Sequence, residues 1–345
     1  MKQKKLPLIL IILGFLVSSS FSFHILQKYD KNYIASDNSV QHYLITGDSS
    51  YYFDEADLIK KQLNNNVSLL KSGFEYKASF LYPRILAIFF YIIDEDIKIK
   101  SQNNDEIEIF NLHNKKLLFL LFQSLFFYLS IYIFYKKAQK KINYKILATV
   151  ILFLCFEPTI MQFNSSFMTE SIYFSLLILL LSLLVDFKKN FITNIGIGLL
   201  IGIMYLQRSV SLYLIFPIII YYIFCFKNLS YVLKSTFFIL IGQIVVLTFL
   251  GYNNYKRAEI FYITPMQAKH AIYHYMTDNL VSKGNKIDSK KAFEKRIAEK
   301  KIWIKENKID LDNEKDRRKL YNYYFRLSCF KFISLSNKVE YLIKQ

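Results

Sequence analysis

Cysteine, proline and glycine are scarce in this sequence, and their scarcity excludes several kinds of protein. Only 3 cysteines, 5 prolines and 9 glycines occur among 345 residues. The cysteines have neither the number nor the spacing of a disulfide framework or a zinc site. The sequence also lacks the G-x-x-x-x-G-K-[ST] phosphate-binding loop. This excludes a P-loop ATPase, although residues 54–57 spell the DEAD letters of a helicase.

Apolar residues are abundant instead, since they make up 53% of the sequence and the mean hydropathy is +0.21. They are concentrated in seven nearly charge-free blocks, most of which approach the ~20 residues that a helix needs to cross a bilayer. Backbone polar groups in lipid must be hydrogen-bonded within their own segment. The sequence therefore predicts an all-α polytopic membrane protein. The blocks are residues 6–26, 116–135, 145–157, 170–186, 192–206, 211–226 and 232–251.

Lysine clusters predict the orientation, because short cytoplasmic loops carry an excess of Lys and Arg. Three lysines occur in the first five residues, and others lie between the second and third, fourth and fifth, and sixth and seventh blocks. This pattern places the amino terminus in the cytoplasm and both the loop 27–115 and the tail after residue 252 outside. The apolar segment 79–93 contains Arg84 and is too short for a span, so it is predicted to be an interfacial helix on the outer face.

The sequence is predicted to form two domains in the cytoplasmic (inner) membrane of a cell. Residues 1–270 would be the transmembrane domain with its large outer loop, and residues 271–345 a charged, largely helical tail outside. The first block is either an uncleaved anchor or a cleaved signal peptide. The net charge of +18 suits anionic lipids or anionic substrates, and no nucleic-acid-binding motif accompanies it.

The stretch 45–63 in the outer loop is unusually acidic. If Asp48 caps a helix, then Asp48, Tyr52, Ala56 and Ile59 fall on one face, where the carboxylate has apolar neighbours. The other three acids are predicted to be solvated on the remaining faces: Asp54, Glu55 and Asp57.

Four passages resemble, in order along the chain, the type-C (GT-C) membrane glycosyltransferases. The most similar branch contains the protein O-mannosyltransferases and the lipid A aminoarabinose transferase. The first passage has the D-x3-Y-x3-A spacing of Asp48, Tyr52 and Ala56, with Tyr82 and Pro83 later in the same loop. The others are FEPTIMQFNSSFMTESIYFSLLILL (156–180), IGIGLLIGIMYLQRSVSLYLIFP (195–217) and GYNNYKRAEIFYITPMQA (251–268).

The resemblance implies an enzyme that transfers a hexosyl or pentosyl group from a polyprenyl-phosphate carrier. The acceptor would be a lipid-linked glycan, a polysaccharide or a protein on the outer face of the membrane. Asp48 would be the general base that accepts the proton of the acceptor hydroxyl. Without the resemblance, Asp48 is explained as a helix N-cap. No cofactor is implied, and the need for a divalent metal stays open. His270 and His274 lack a third ligand, so no metal site is predicted.

The phosphate of the carrier lipid would need cations. Arg208 lies at the outer end of an apolar block, and a guanidinium can bind two phosphate oxygens at once. Its alternative role is to snorkel to the membrane interface. Arg84, Lys256 and Arg257 are further candidates, for which interfacial anchoring is again the alternative.

Two tyrosines and two glutamates complete the candidate site. Tyr52 and Tyr82 belong to the passages that resemble the glycosyltransferases. Glu170 opens a span beside an uncharged loop, where it either acts in the site or complements the helix dipole. Glu157 ends an apolar run, and its carboxylate is a candidate for a functional role on the outer side of the membrane.

Two other functions stay open from the sequence. One is a polysaccharide polymerase, and the other is a non-enzymatic transporter or flippase of cell-envelope glycan assembly. A polymerase would be expected to have its largest outer loop late in the chain. A transporter would be expected to show inverted repeats and spans broken by Gly or Pro. The sequence shows no large outer loop late among the apolar blocks and no evident inverted repeat.

Overall fold

The structure is a computed structural model in which most of the transmembrane domain and part of the tail are described. The predicted histidine pair, His270 and His274, lies outside the described residues. The described residues are 5–29, 47–69, 72, 79–94, 98–101, 104–110, 114–186, 190–226, 228–264, 288–311 and 313–326.

The first part of the chain is mostly helical. It contains α1 (Leu6–Tyr29), α2 (Gly47–Asn64) and α3 (Leu81–Ile92), followed by an antiparallel hairpin of β1 (Lys98–Ser101) and β2 (Asn104–Phe110). The sequence analysis did not predict the hairpin. Its sequence nevertheless alternates apolar and charged residues, as in IKIK and EIEI, which is the period of two expected for a strand.

The rest of the transmembrane region confirms the helical prediction for the remaining six apolar blocks. Pro158 separates two of the helices, and their axes differ in direction by 51°. Proline has no N–H to continue the helical ladder, which accounts for a break at this residue. The elements are α4 (Asn114–Ala138), α5 (Tyr144–Phe156), α6 (Pro158–Asn164), α7 (Thr169–Val185), α8 (Phe191–Gln207), a 3₁₀ segment (Ser209–Leu214), α9 (Ile215–Phe226) and α10 (Leu229–Ala258).

Length and composition allow four of the described helices to cross a membrane, or five if the bent α5–α6 pair is one span. The four are Leu6–Ile25, Lys116–Ala138, Ser209–Phe226 and Leu229–Ala258. Helices α7 and α8 are apolar but have 17 residues each, which is about 25 Å against a hydrocarbon core of about 30 Å. The structure thus supports a membrane protein with several spans, and the count of seven stays a prediction.

The apolar core that holds these helices together forms between α1, α4, α5 and α7. Large side chains from the second half of α4 contribute most of it, and residues of the other three helices pack against them. Because lipid is as apolar as the helix surfaces, such packing relies on close fit between side chains. The buried residues of this core are Ile11, Phe127, Tyr128, Ile131, Phe134, Tyr135, Ala138, Leu147, Ile151, Cys155 and Ile178.

Two glycines let α8 and α10 approach with their backbones in contact. A Cβ atom added to Gly198 would lie 2.0 Å from the carbonyl oxygen of Ile239, and one added to Gly242 would lie 2.4 Å from that of Ile195. No larger residue fits either position without moving a helix. Small residues at a helix interface are the usual means of close packing in membranes.

The chain divides into two compact units, one ending at Leu250 and the other beginning at Gly251. The sequence analysis placed its domain boundary at residue 270. The second unit contains the end of α10, helix α11 (Ser289–Glu306) and a further helix, α12, over residues 314–326. Leu320 and Tyr324 are buried there against Trp303 and Ile304. The tail is therefore helical where it is described, and it has a small core of its own.

Candidate functional site

Helix α2 carries the proposed general base in its first turn. It begins at Gly47, so Asp48 is the second residue of the helix and not the N-cap that the sequence predicts, and its side chain lies outside the described part of the structure. Tyr52, Ala56 and Ile59 are 6%, 0% and 0% exposed. The predicted apolar face of this helix is confirmed.

The prediction that Glu55 is solvated is wrong, because its side chain is only 1% exposed. Seven residues at about 100° each bring position 55 back to within about 20° of position 48 on the helix. Glu55 therefore belongs to the same face as Asp48, a relation that counting only i+4 and i+8 neighbours overlooks. Asp54 and Asp57 are half-buried, and Asp57 pairs with Lys61 at 2.8 Å.

Glu55 and Arg84 form a buried ion pair between α2 and α3. A guanidinium nitrogen of Arg84 lies 3.6 Å from Oε1 of Glu55, and the Tyr51 hydroxyl donates a 2.7 Å hydrogen bond to Oε2. Arg84 also donates to the carbonyl oxygens of Phe80 and Ser72, both at 2.9 Å. The charge of Arg84 thus lies inside the unit and joins the two helices, a position that suits neither the phosphate-binding role predicted for it nor its alternative role as an interfacial anchor.

Tyr82 lies at the centre of the candidate site and is fully buried. Its ring contacts that of Tyr52 edge to face, with centroids 5.3 Å apart, and its hydroxyl donates to Oε1 of Gln123 on α4 at 3.4 Å. Burial raises the pKa of Tyr82 well above its ordinary value, and the neighbouring Tyr52 and Glu170 add to the shift. The hydroxyl is thus held in its protonated, hydrogen-bond-donating form.

Gln123 fixes the turn that precedes α7. Its amide nitrogen donates to the carbonyl oxygens of Asn164 and Ser166, at 2.9 and 2.7 Å. The Asn164 side chain in turn accepts a 2.6 Å hydrogen bond from the Ser171 hydroxyl in the first turn of α7. These bonds hold the start of α7, and with it Glu170, in a defined position relative to Tyr82.

Glu170 and Arg208 form the most exposed ion pair of the site. Nη1 of Arg208 donates to Oε1 of Glu170 at 2.6 Å, and the two side chains are 44% and 14% exposed. The backbone N–H of Phe80 donates to the carbonyl oxygen of Leu206 at 2.9 Å, which attaches α3 to the end of α8. The structure thus brings together Tyr52, Tyr82, Glu170 and Arg208, which the sequence analysis named from separate passages.

Two buried lysines of the first unit were not predicted. Lys116 is 0% exposed, and its ammonium lies 5.5 Å from the ring centroid of Phe53 and 5.8 Å from that of Phe90. Lys60 on α2 is 5% exposed. Aromatic faces stabilise a desolvated ammonium. The only signal in the sequence is that Lys116 occupies the first position of an otherwise apolar block.

The remaining candidates lie elsewhere and have other roles. Glu157 caps α6, since its carboxylate accepts a 2.7 Å hydrogen bond from the N–H of Ile160, and this accounts for a charge at the end of an apolar run. Lys256 and Arg257 belong to the second unit. Both terminal nitrogens of Arg257 bind Glu314, at 2.7 and 2.9 Å. A guanidinium engaged in this way is a poor phosphate ligand, so Arg257 becomes the weakest of the four cations.

The site offers acid–base and anion-binding chemistry. Among the described residues, no group of three His, Cys, Asp or Glu side chains could hold a metal ion. The described cluster instead combines a protonated tyrosine, the Glu170 carboxylate and a partly open arginine. Such a set can donate a hydrogen bond at one point and bind an anion at another.

Comparison with known proteins identifies no relative, because no family model, curated protein or solved structure matches this chain.

Proposed function

We propose that this protein is an integral-membrane glycosyltransferase that takes a sugar from a polyprenyl-phosphate carrier. The acceptor is a lipid-linked glycan, a polysaccharide or a protein outside the membrane, and no nucleic acid takes part. The resemblance of four passages to the GT-C enzymes motivates this function. The observation that carries it is that the first three passages meet around Tyr82, which contacts Tyr52 and lies within electrostatic range of Glu170, the ion-pair partner of Arg208.

Arg208 is the residue best suited to receive the phosphate of the carrier. Its side chain is partly open and held by a single carboxylate, Glu170. The phosphodiester of the donor offers oxygens to both guanidinium nitrogens and gains a second negative charge as the sugar leaves, so it can take the place of Glu170 or share the arginine with it. Lys116, which is buried near the rings of Phe53 and Phe90, adds a second positive charge at the start of α4, the helix that carries Gln123.

Asp48 is the proposed base. It lies one helical turn before Tyr52, whose ring contacts Tyr82, so its position in the sequence brings it to the same end of the unit. The acceptor hydroxyl would lose its proton to Asp48 as it attacks the sugar carbon. The bond to the carrier phosphate breaks in the same substitution, and the phosphate leaves with the electron pair towards Arg208.

The chemistry requires that this cluster face the outer side of the cytoplasmic membrane. The lysine pattern predicts this orientation with seven spans, a loop 27–115 outside and a tail outside. Single cysteines introduced at Ser101 and Ser289 should react with an impermeant maleimide in intact cells. Reaction only after lysis would place the cluster on the wrong side and contradict the proposal.

A transfer assay with reconstituted protein tests the activity itself. Vesicles with the wild-type protein are given polyprenyl-phosphate hexoses and pentoses together with a mixture of membrane glycans. We expect release of polyprenyl phosphate that depends on the protein and on the glycan mixture. Vesicles prepared in the same way without the protein serve as the control for contaminating transferases. Equal release from both would refute the proposed function.

A further inference from the structure

We infer that the second unit contains a binding site for a neutral glycan, in a cleft between α11 and α12. The cleft has a volume of about 230 Å³ and is lined by Glu299, Ile302, Trp303, Glu306, Tyr323 and Tyr324. This is somewhat smaller than the ~300–1,000 Å³ typical of pockets for drug-sized ligands. It is therefore suited to one or a few sugar rings at the end of a longer chain.

The cleft is lined by a stacked pair of aromatic rings. The rings of Trp303 and Tyr323 are stacked with centroids 4.7 Å apart and an interplanar angle of 19°. The ring of Tyr324 packs edge-on against that of Tyr323, with the two centroids 5.1 Å apart, and Tyr324 is only 2% exposed. Tyr323 itself remains 40% exposed. An exposed ring on a rigid base can stack against the C–H face of a sugar without any conformational change.

Two carboxylates, those of Glu299 and Glu306, line the cleft together with this aromatic pair. Glu299, Trp303 and Glu306 recur at intervals of four and three residues, so they share one face of α11, and the two acids are about 10 Å apart along its axis. Ionised carboxylates only accept hydrogen bonds. A ligand must therefore present donors to both ends and an apolar face to the middle, which a sugar ring with its hydroxyl groups does.

A cationic ligand fits this cleft less well. Aromatic cages for ammonium groups surround the cation with ring faces, but here the facing sides of Trp303 and Tyr323 are already in contact with each other. Helix α11 also carries seven Lys and Arg residues against three Glu, so its field repels a cation. A neutral polyol meets neither obstacle.

This inference rests on the proposed function, to which it adds a place where the acceptor glycan is held outside the membrane. The chain contains a single tryptophan, Trp303, so intrinsic fluorescence reports directly on the cleft. The detergent-solubilised full-length protein is titrated with neutral gluco-, manno-, galacto- and N-acetylchito-oligosaccharides, and with choline and glucosamine as cationic probes. Calorimetry repeats each titration in case binding leaves the fluorescence unchanged.

We expect saturable binding of at least one neutral oligosaccharide and none of choline. Tyr323→Ala should weaken it by about tenfold or more, which corresponds to about 1.4 kcal/mol or more, because a central aromatic contact is typically among the largest contributors to binding. Glu299→Gln should also weaken it. Phe293→Ala is the matched control, since Phe293 is an exposed aromatic residue on the same helix outside the cleft, and it should bind as the wild type does.

The inference is overturned if no neutral oligosaccharide binds, if only the cationic probes bind, or if Tyr323→Ala binds as tightly as the wild type. Asp48→Asn separates this result from the proposed function, because it should lose transfer but retain oligosaccharide binding. If the wild type bound oligosaccharide but transferred no sugar, the proposed transferase function would be refuted and the glycan-binding site would be supported. If it transferred sugar but bound no oligosaccharide, the binding site would be refuted and the transferase function would be supported.

Discussion

Two glutamate–arginine pairs in the first unit differ in their access to water. Glu55 and Arg84 are 3.6 Å apart with side chains 1% and 8% exposed, whereas Glu170 and Arg208 are 2.6 Å apart with side chains 14% and 44% exposed. Removing one partner of a desolvated pair strongly destabilises the fold, because the remaining charge stays buried without its counter-charge. An exposed pair contributes little to stability and can exchange its partner for a ligand. The first pair is therefore assigned to the fold and the second to function.

The largest expected effect is that of breaking the buried pair. Glu55→Ala leaves the Arg84 charge without this carboxylate and should cost about 3–5 kcal/mol of stability. Asp57→Ala, on the same helix, removes only the exposed pair with Lys61 and should cost about 0.3–0.5 kcal/mol. The measurement is the thermal midpoint of the solubilised protein, determined by size-exclusion chromatography of samples heated to a series of temperatures.

A double substitution sharpens this test of the buried pair. Glu55→Leu with Arg84→Met replaces both charges by apolar groups of similar volume and should recover much of the loss. If the Glu55→Ala and Asp57→Ala variants had the same thermal midpoint, Glu55 would contribute no more to stability than Asp57 does. The contrast between the buried and the exposed pair would then disappear.

The exposed pair should affect transfer rather than folding. Arg208→Lys keeps the charge but loses the two-pronged contact, so transfer should fall by about 10- to 100-fold, the range of one or two charged hydrogen bonds. The thermal midpoint should stay within error of the wild type. Arg257→Lys is the control, because that guanidinium binds Glu314 and should not alter the dependence of transfer on carrier lipid. An unchanged Arg208→Lys enzyme would instead favour a role as a membrane anchor.

A smaller, pH-dependent effect is expected in the second unit. Burial alone would raise the pKa of Glu314, but the hydrogen bonds from Arg257 and Tyr262 hold that pKa below its ordinary value. A lowered pKa in the folded state means that the stabilisation is present above the ordinary pKa of about 4.5 and is lost as the pH falls through the lowered one. Trp303 fluorescence should therefore report loosening of this unit only in acid.

Glu314→Gln should remove most of this acid-induced change. The carboxylate of Asp316 also has a lowered pKa, owing to its hydrogen bond with Lys319, but it is exposed. Asp316→Asn should therefore leave the acid transition in place. The assignment to Glu314 fails if Asp316→Asn abolishes the transition and Glu314→Gln does not.

The sequence predicted the helices well because apolar blocks and helix faces are local properties. Each of the seven blocks is helical, and the buried face of α2 through Tyr52, Ala56 and Ile59 is as expected. The hairpin was missed although its alternation of apolar and charged residues is also local. The bend after α5 could likewise have been predicted from Pro158.

The site was less predictable because charges are paired through tertiary contacts. Nothing near Glu55 in the sequence indicates that Arg84 lies opposite it, and nothing near Arg208 indicates Glu170. The burial of Lys116 likewise depends on Phe53 and Phe90, which come from two other helices. A sequence pattern gives the face on which a charge lies, whereas its partner is known only from the fold.

The most direct test of the proposed catalysis is sugar transfer by Asp48→Asn in vesicles matched for protein amount. Asn has nearly the same size as Asp, and a charge in the first turn of a helix contributes only about 0.3–1 kcal/mol, so the thermal midpoint should change little. Only the proton-accepting charge is lost, and transfer should fall by about 10²–10⁴-fold. Transfer at the wild-type rate by Asp48→Asn, or an equal loss in a stably folded Asp54→Asn, would contradict the assignment of Asp48 as the base.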